Sequence, residues 1–529
     1  MLPALRIIYL DSRIIFIELR QSFGALIRGI QLFGSNKKEV ISMKKSLLLS
    51  IAVLILFVAV LLIKTFLFTT PSNQFEKKTL EDVAFDPEIV TDHLAKSLQF
   101  HTISYQDSTK FNSVPFLNLH KYLEEVFPHV HKSLKKEIVN QYSLLYTWQG
   151  KGETLKPILL MAHQDVVPVE QETQNQWIQP PFEGKIADGF IWGRGALDVK
   201  CGLMGILEAI ELLLRNGFQP ERTVYLAFGH DEEIGGSQGV VKIAELLRSR
   251  NIAFEFVLDE GGVIVDGIIP GTSKPVALMG IAEKGYLTLE LKVETKGGHS
   301  SMPPRHTAVG ILSEAITKLE NNPFPANMQF ASQLFQYVGP DMPFFQRMIF
   351  ANMWLTRSLI ERKLSELPAM NANIRTTAAT TMFKGSDKEN VLPMHAAAII
   401  NLRIMPDESV ASVIEYVTKT INNPQVKIRT SGIASNPPPV TDIHAEGYEI
   451  IKKTICQTAT SELIVAPFLV IATTDSRHFI KLSENVYRFI PIILKQQDLN
   501  RVHGVNERIS IENYLQMVKF YYRLIQNLI

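Results

Sequence analysis

The chain has 529 residues, enough for more than one domain at about 100–200 residues each. Lys plus Arg is 54 and Asp plus Glu is 53, a formal charge of +1 that argues against a nucleic-acid binder relying on a strong basic field. Apolar residues make up 46% and charged residues 20%, which excludes a disordered chain, a collagen, a coiled coil and a multi-pass membrane protein.

Cys201 and Cys456 cannot build a disulfide framework or a Cys-rich zinc site, so any metal here is held by His and carboxylates. Ser46 to Ile63 reads SLLLSIAVLILFVAVLLI without a charge, and FLF (66–68) extends the run beyond Lys64. About 20 apolar helical residues cross a bilayer, so the spacing predicts one transmembrane helix over 46–68. Lys37, Lys38, Lys44 and Lys45 precede it, which puts the N-terminus in the cytoplasm and the rest outside. The run exceeds the usual signal-peptide core and no A-x-A site follows, favouring an uncleaved signal anchor over a cleaved signal and secretion. Residues 1–45 read as a cytoplasmic tail or an over-long start, since Met43-Lys-Lys is itself a natural beginning.

Residues 69–85 are a polar linker. From 86 onward, strand and helix patterns alternate: ILLMA (158–162), a helix from Val199 to Asn216, TVYLAF (223–228), a helix from Val240 to Arg250, and FEFVLD (254–259). That alternation predicts a mostly parallel sheet covered on both faces, with ligands at the carboxyl ends of its strands. Near Glu283 the pattern changes. YLTLELKVE (286–294) alternates like a half-exposed antiparallel strand, and a helix at about 306–320 follows. A Pro-, Phe- and Met-rich stretch has helical character over Phe344–Leu367; then come a strand at 397–404, a helix at about 407–422 and a strand at 426–430. The fold class is therefore α/β. It parses as a catalytic domain over 86–283, interrupted by an inserted α+β domain at 284–433 and resumed over 434–529.

The chemistry sits at predicted strand ends. His163-Gln-Asp165 follows ILLMA; Asp198 lies in the glycine-rich GRGALDVKCG; Asp231-Glu232-Glu233 follows TVYLAF; Asp259-Glu260 closes FEFVLD; His503 lies in RVHGVNERI. A single Asp at a strand end is commonly a helix N-cap. Five such positions on one sheet edge are a hard oxygen and nitrogen environment. It suits two zinc ions, with cobalt or manganese able to substitute.

The segments HQDVVPV (163–169), GRGALDVKCG (193–202), GHDEEIGG (229–236), LDEGG (258–262), KGGHSSMP (296–303) and HGVNERI (503–509) closely resemble the di-zinc metallopeptidases of the aminoacylase and carboxypeptidase S family. Within it the chain looks most like the carboxypeptidase S and N-fatty-acyl-amino-acid synthase/hydrolase branch, from about residue 86 to the end. The resemblance implies that Asp198 bridges two zinc ions, with His163 and Asp259 completing one site and Glu233 and His503 the other. It makes Glu232 the general base and Asp165 the residue that orients the His163 ring, and it implies a cis peptide after Asp198. The inserted domain becomes a lid and dimerisation domain. From it His299 stabilises the oxyanion, in dimeric members within the neighbouring subunit's site, while Asn390 and Arg403 hold the substrate's carboxylate.

The implied activity is cleavage of the amide bond to a C-terminal amino acid with a free carboxylate. The substrates left open are short peptides and N-acyl amino acids, the latter also in the synthetic direction. The alternative is a non-catalytic, metal-stabilised binding protein at the membrane. It predicts a lost ligand or base, and none is lost. A cytosolic deacylase on the same scaffold conflicts with the hydrophobic anchor. Four signals are set aside. Gly235-Gly-Ser-Gln-Gly239 lies too far past its strand for a serine elbow. His129-Val-His131 reads as a solvated segment and Cys201 as packing. MPFFQRMIFANMW (342–354) reads as core or dimer contact, with an acyl-chain pocket or membrane-facing lid as the sharper alternative.

Overall fold

The computed structural model describes residues 37–70 and 85–528. The tail before Lys37 and most of the linker fall outside the described residues, as does the side chain of Met43. Lys37–Leu67 is one helix. Its Lys45–Leu67 stretch, 23 residues with no buried face, is long and apolar enough to cross a membrane by length and composition.

Residues from Thr69 on form a second unit built chiefly on two sheets, of ten and four strands, beside a three-stranded and a two-stranded one. The larger has ten strands, in the order Lys135–Val139, Ser143–Trp148, Val224–Gly229, Ile158–His163, Val257–Asp259, Val486–Arg488, Val276–Glu283, Ile264–Val265 and Ile493–Leu494, with Ile464–Val470 also pairing Val276–Glu283. Its centre is parallel, from Val224–Gly229 through Val486–Arg488. The sheet is mixed: five of its nine strand pairings are parallel, and the other four are antiparallel. A short turn at 140–142 folds the first two strands into an antiparallel hairpin, and that hairpin pairs antiparallel with Val224–Gly229. Val276–Glu283 runs against both Val486–Arg488 and Ile264–Val265.

Both faces of the sheet are covered, which is why Ile158–His163 is buried at every position. Leu160, Ala162 and Phe228 pack with the helices Lys200–Arg215 and Ile511–Gln526. The alternate residues Leu159, Met161 and Ala227 pack under Val240–Ser249. FEFVLD yields only a short strand, Val257–Asp259, since the N–H groups of Phe254 and Glu255 bond to Leu482 and Pro157 in neighbouring loops.

The smaller sheet is antiparallel, in the order Thr377–Lys384, His395–Ile404, Gly285–Glu294 and Val426–Ser435. Leu287, Leu289, Leu291 and Val293 point to one face, where they meet the helices Ala308–Asn321 and Val410–Ile421. The 344–367 region forms two helices, Phe344–Ala351 and Met353–Ser365, separated at buried Asn352. With Gln329–Val338 they pack against Val276, Leu278, Ile464 and Ala466 of the larger sheet. Phe350 stacks on Phe335 with ring centroids 4.1 Å apart, while Phe345 is exposed.

Candidate di-metal active site

The site forms where strands of the larger sheet run out. His163 is the last residue of its strand and almost fully buried. Its Nδ1 donates to the backbone carbonyl of Asp165 at 2.9 Å, leaving Nε2 free to face the cluster. Nε2 lies 3.1 Å from Asp198 Oδ1 and 3.2 Å from Glu260 Oε1. Across the site, His503 Nε2 lies 2.9 Å from Asp198 Oδ2 and 3.2 Å from Glu233 Oε2. Asp198 thus presents one oxygen to each histidine. The Asp198–Val199 peptide is cis.

The carboxylate of Asp165 accepts from the backbone N–H groups of Glu232 and Glu233, at 3.1 and 3.2 Å. It therefore fixes the turn that carries both glutamates, in addition to lying 3.4 Å from His163 Nδ1. Gly236 closes that turn with φ +72, and a Cβ there would sit 2.4 Å from Asp475 Oδ1, so glycine alone fits.

Glu507 holds the loop of Asp198. This fully buried carboxylate accepts from the N–H groups of Gly195, Leu197 and Asp198 and pairs with Arg194 at 2.5 Å. Arg194 in turn donates to the backbone carbonyl of His503 at 3.1 Å, tying the two ligand loops together. Sequence reasoning missed Glu507, although it stands four residues after His503 in HGVNERI.

Asp259 does not join the cluster in the way the resemblance implies. Its Oδ2 accepts from the backbone N–H of Ser476 at 2.8 Å, and its neighbour Glu260 faces His163 instead. The side chains of a strand alternate between faces, so of two consecutive acids at a strand end only one can point at the cluster. The pair was visible in LDEGG; the phase of the strand was not.

The electrostatics mark a place that wants positive charge. Burial pushes Asp198 up, but the hydrogen bonds and charges of His163 and His503 outweigh it and hold the carboxyl below its usual range. Hydrogen bonds that His503 donates to Asp198 and Glu233 raise its pKa to about 10. Burial and the Asp198 charge push Glu260 up to about 8. Burial raises Glu232 well above an ordinary carboxyl. Glu233 Oε1 is buried without a hydrogen-bond partner, the signature of an acceptor waiting for a cation. Ligand atoms of His163, Asp198 and Glu233 lie within 4.8 Å of one another, as do those of His163, Glu232 and Glu260. Two histidines and several carboxylates fit a pair of divalent cations.

The smaller sheet supplies a different charge. Arg403, opposite Tyr286 in the strand pairing, stacks its guanidinium 4.4 Å from that ring's centroid. Burial first, and then the nearby Arg477 charge, lower its pKa. Arg477 was not singled out in the sequence. It is held by the carbonyls of Thr474 at 2.9 Å and Gly235 at 3.2 Å, so it stands beside the Glu232 turn. His299 and Asn390 are brought together, since Ser300 N–H bonds to Asn390 O at 3.1 Å, but both are exposed and neither bonds to the ligand cluster. His129 and His131 serve packing through Glu211 and Tyr146. Cys201 is buried against Leu197 O.

This arrangement has known counterparts. Residues 159–527 match the model of Peptidase family M20/M25/M40. The chain is 44% identical over 453 residues to a probable carboxypeptidase S-like protein of Dictyostelium discoideum, covering 85% of this chain and 86% of that one. It is 40% identical over 491 residues to an N-fatty-acyl-amino acid synthase/hydrolase of Danio rerio, covering 91% and 94%. Among solved structures, an M20 family metallo-carboxypeptidase from Sulfolobus solfataricus superposes with a TM-score of 0.61 at 20% identity, covering 84% of this chain and 99% of that one, and so shares the fold. With the family pattern matched along most of its length and the ligand loops converging at one sheet edge, the chain belongs to peptidase family M20/M25/M40.

Proposed function

We propose that the protein is a di-zinc amidohydrolase that cleaves the amide bond to a C-terminal amino acid bearing a free carboxylate. The observation that carries this reading is Asp198, whose two oxygens face His163 and His503 separately. His163, Asp198 and Glu260 would hold one cation, and His503, Asp198 and Glu233 the other. Such a pair supplies Lewis acidity and lowers the pKa of water. Cobalt or manganese can take the same ligands.

Glu232 is the general base. It stands half-buried beside the cluster, where burial raises its pKa and so makes its carboxylate a stronger proton acceptor; it takes a proton from the attacking water and delivers it to the leaving amide nitrogen. Asp165 positions Glu232 through its backbone N–H. Arg403 and Arg477 receive the substrate carboxylate, for which paired guanidiniums are suited.

His299 and Asn390, on the inserted lid domain at 284–433, are exposed and free to complete the site of a second copy in a homodimer. Mixing His299→Ala and Glu232→Gln chains, with dimer formation followed by sedimentation, tests this: mixed dimers regain activity if the histidine acts across the interface. The apolar helix anchors the enzyme with its catalytic domain on the non-cytoplasmic side, or directs secretion if cleaved. Protease protection on intact membranes separates these.

Assaying the metal-loaded chain on Gly-Leu and N-oleoyl-phenylalanine tests the activity itself. Hydrolysis of either supports the reading. Hydrolysis of neither contradicts it.

A further inference from the structure

The chain crosses from the larger sheet to the smaller one at residues 283–286, where the strand Val276–Glu283 gives way to Gly285–Glu294. Every residue of that crossing is held. Glu283 and Lys284 are buried. Glu283 Oε2 accepts from Arg488 Nε at 2.9 Å, and from the backbone N–H and the hydroxyl of Thr474 at 3.0 and 2.9 Å. Lys284 donates its N–H to Val470 O at 3.2 Å and its Nζ to Arg375 O at 2.7 Å. Gly285 packs so closely on the returning chain that a Cβ there would lie 2.7 Å from Ser435 O and from Pro437 N. A close-packed, hydrogen-bonded crossing transmits a fixed geometry instead of flexing.

Its two ends lead to the two arginines. At one end Thr474 is clamped. Glu283 takes its N–H and hydroxyl, and Arg477 Nη1 donates to its carbonyl at 2.9 Å. Arg477 Nη2 goes to Gly235 O at 3.2 Å. Thr474 also lines the cavity over the ligand cluster, so the turn that Glu283 holds is a wall of the site. At the other end Tyr286 stands directly opposite Arg403 in the antiparallel pairing. Opposite residues share a face, and the guanidinium lies 4.4 Å from the centre of the Tyr286 ring. That stack occupies the flat side of the cation and leaves its edge donors for a carboxylate. Burial first, and then the Arg477 charge, lower the pKa of Arg403, which puts the two guanidiniums in one neighbourhood. Like charges repel, so their spacing has to be imposed from outside the pair.

We propose that Glu283 and Tyr286 are positioning residues for the substrate carboxylate: Glu283 sets Arg477 through Thr474, Tyr286 sets Arg403 by stacking on it, and the rigid crossing between them fixes the spacing of the two guanidiniums. This rests on the reading of Arg403 and Arg477 as the carboxylate receptor and assigns what holds them in place.

Double-mutant cycles separate such positioning from general stability. The full, metal-loaded chain is assayed, at a temperature where every variant is folded, on whichever of Gly-Leu and N-oleoyl-phenylalanine it cleaves faster. Arg403→Ala and Arg477→Ala are each expected to raise KM by about tenfold or more, the worth of a charge-assisted hydrogen bond. Tyr286→Leu is expected to raise KM by about threefold or more with kcat held within about twofold, the pattern of lost binding. In a chain that already carries Arg403→Ala, the same change is expected to shift KM by less than about 1.5-fold. Glu283→Gln is expected to behave likewise, its effect on KM vanishing in the Arg477→Ala background. If Glu283→Gln melts early, Thr474→Val removes the hydroxyl donation alone and is read by the same criteria. A KM that stays put in these variants, or moves equally with and without the arginine, overturns the inference and leaves the receptor standing. Arginine variants with unchanged KM overturn the receptor and the inference with it. A chain that cleaves neither substrate overturns the activity beneath both.

Discussion

Glu260 Oε1 stands 3.2 Å from His163 Nε2, while the carboxylate one residue earlier, Asp259, turns to the N–H of Ser476. The two acids therefore have separable tasks. Glu260→Gln is expected to lower metal content by about one equivalent per chain and to abolish hydrolysis. Asp259→Asn is expected to keep both metals, because an amide oxygen can still accept from Ser476. Elemental analysis of the two purified variants decides; metal loss in the Asp259 variant alone would reverse the assignment.

Glu232 offers a cleaner separation of binding from chemistry. Its replacement by Gln removes the proton acceptor yet leaves the pairs of His163 and His503 with Asp198 intact. Turnover should fall by about 100- to 10,000-fold, the usual worth of general acid–base catalysis, with metal content unchanged. Steady-state kinetics beside metal analysis checks both halves.

Glu507 holds the loop of Asp198 from behind. Glu507→Ala would leave Arg194, only 3% exposed, without its ionic partner and three N–H groups without their acceptor. Breaking a buried pair from one side costs about 3–5 kcal/mol. Denaturant unfolding of the metal-free chain should show a loss of that size; a change under about 1 kcal/mol, the worth of an exposed pair, would mean that the pair does little.

Metal affinity should depend on pH with a definite sign. His503 is raised to about 10 and Glu260 to about 8, so below pH 8 both carry protons in the metal-free chain. Each must be shed to bind a cation, so affinity rises with pH and does so less steeply once Glu260 has ionised above about pH 8. Chelator competition between pH 6 and 9 measures this slope. An affinity that is flat or falls with pH would contradict these proton counts.

The sequence was most readable where two periodicities coincide with punctuation. The strand Ile158–His163 is apolar from Ile158 to Ala162 and ends on His163, so both the strand and the emerging ligand could be read. The helix Lys200–Arg215 could be read from its spacing and from Gly217 beyond it. Thr377–Lys384 could not, because TAATTMFK is an edge strand with mostly exposed residues and carries no burial pattern. The antiparallel margins of the larger sheet depend on which strands meet across hundreds of residues, as when Val486–Arg488 enters between Val257–Asp259 and Val276–Glu283. Local pattern says nothing of that.

At the site, residue types were legible and their directions were not. LDEGG announces two acids, but choosing Glu260 over Asp259 requires knowing where the strand stops. Arg477 and Glu507 matter through backbone groups of distant loops, Gly235 in one case and Gly195 to Asp198 in the other. Contacts of that kind leave no trace in spacing.

Stripping and reloading the full chain tests the di-metal centre most directly. Two equivalents of zinc should bind per chain, with amide hydrolysis lost on chelation and restored on reloading. A stripped chain that hydrolyses its substrate at an undiminished rate would contradict the whole assignment.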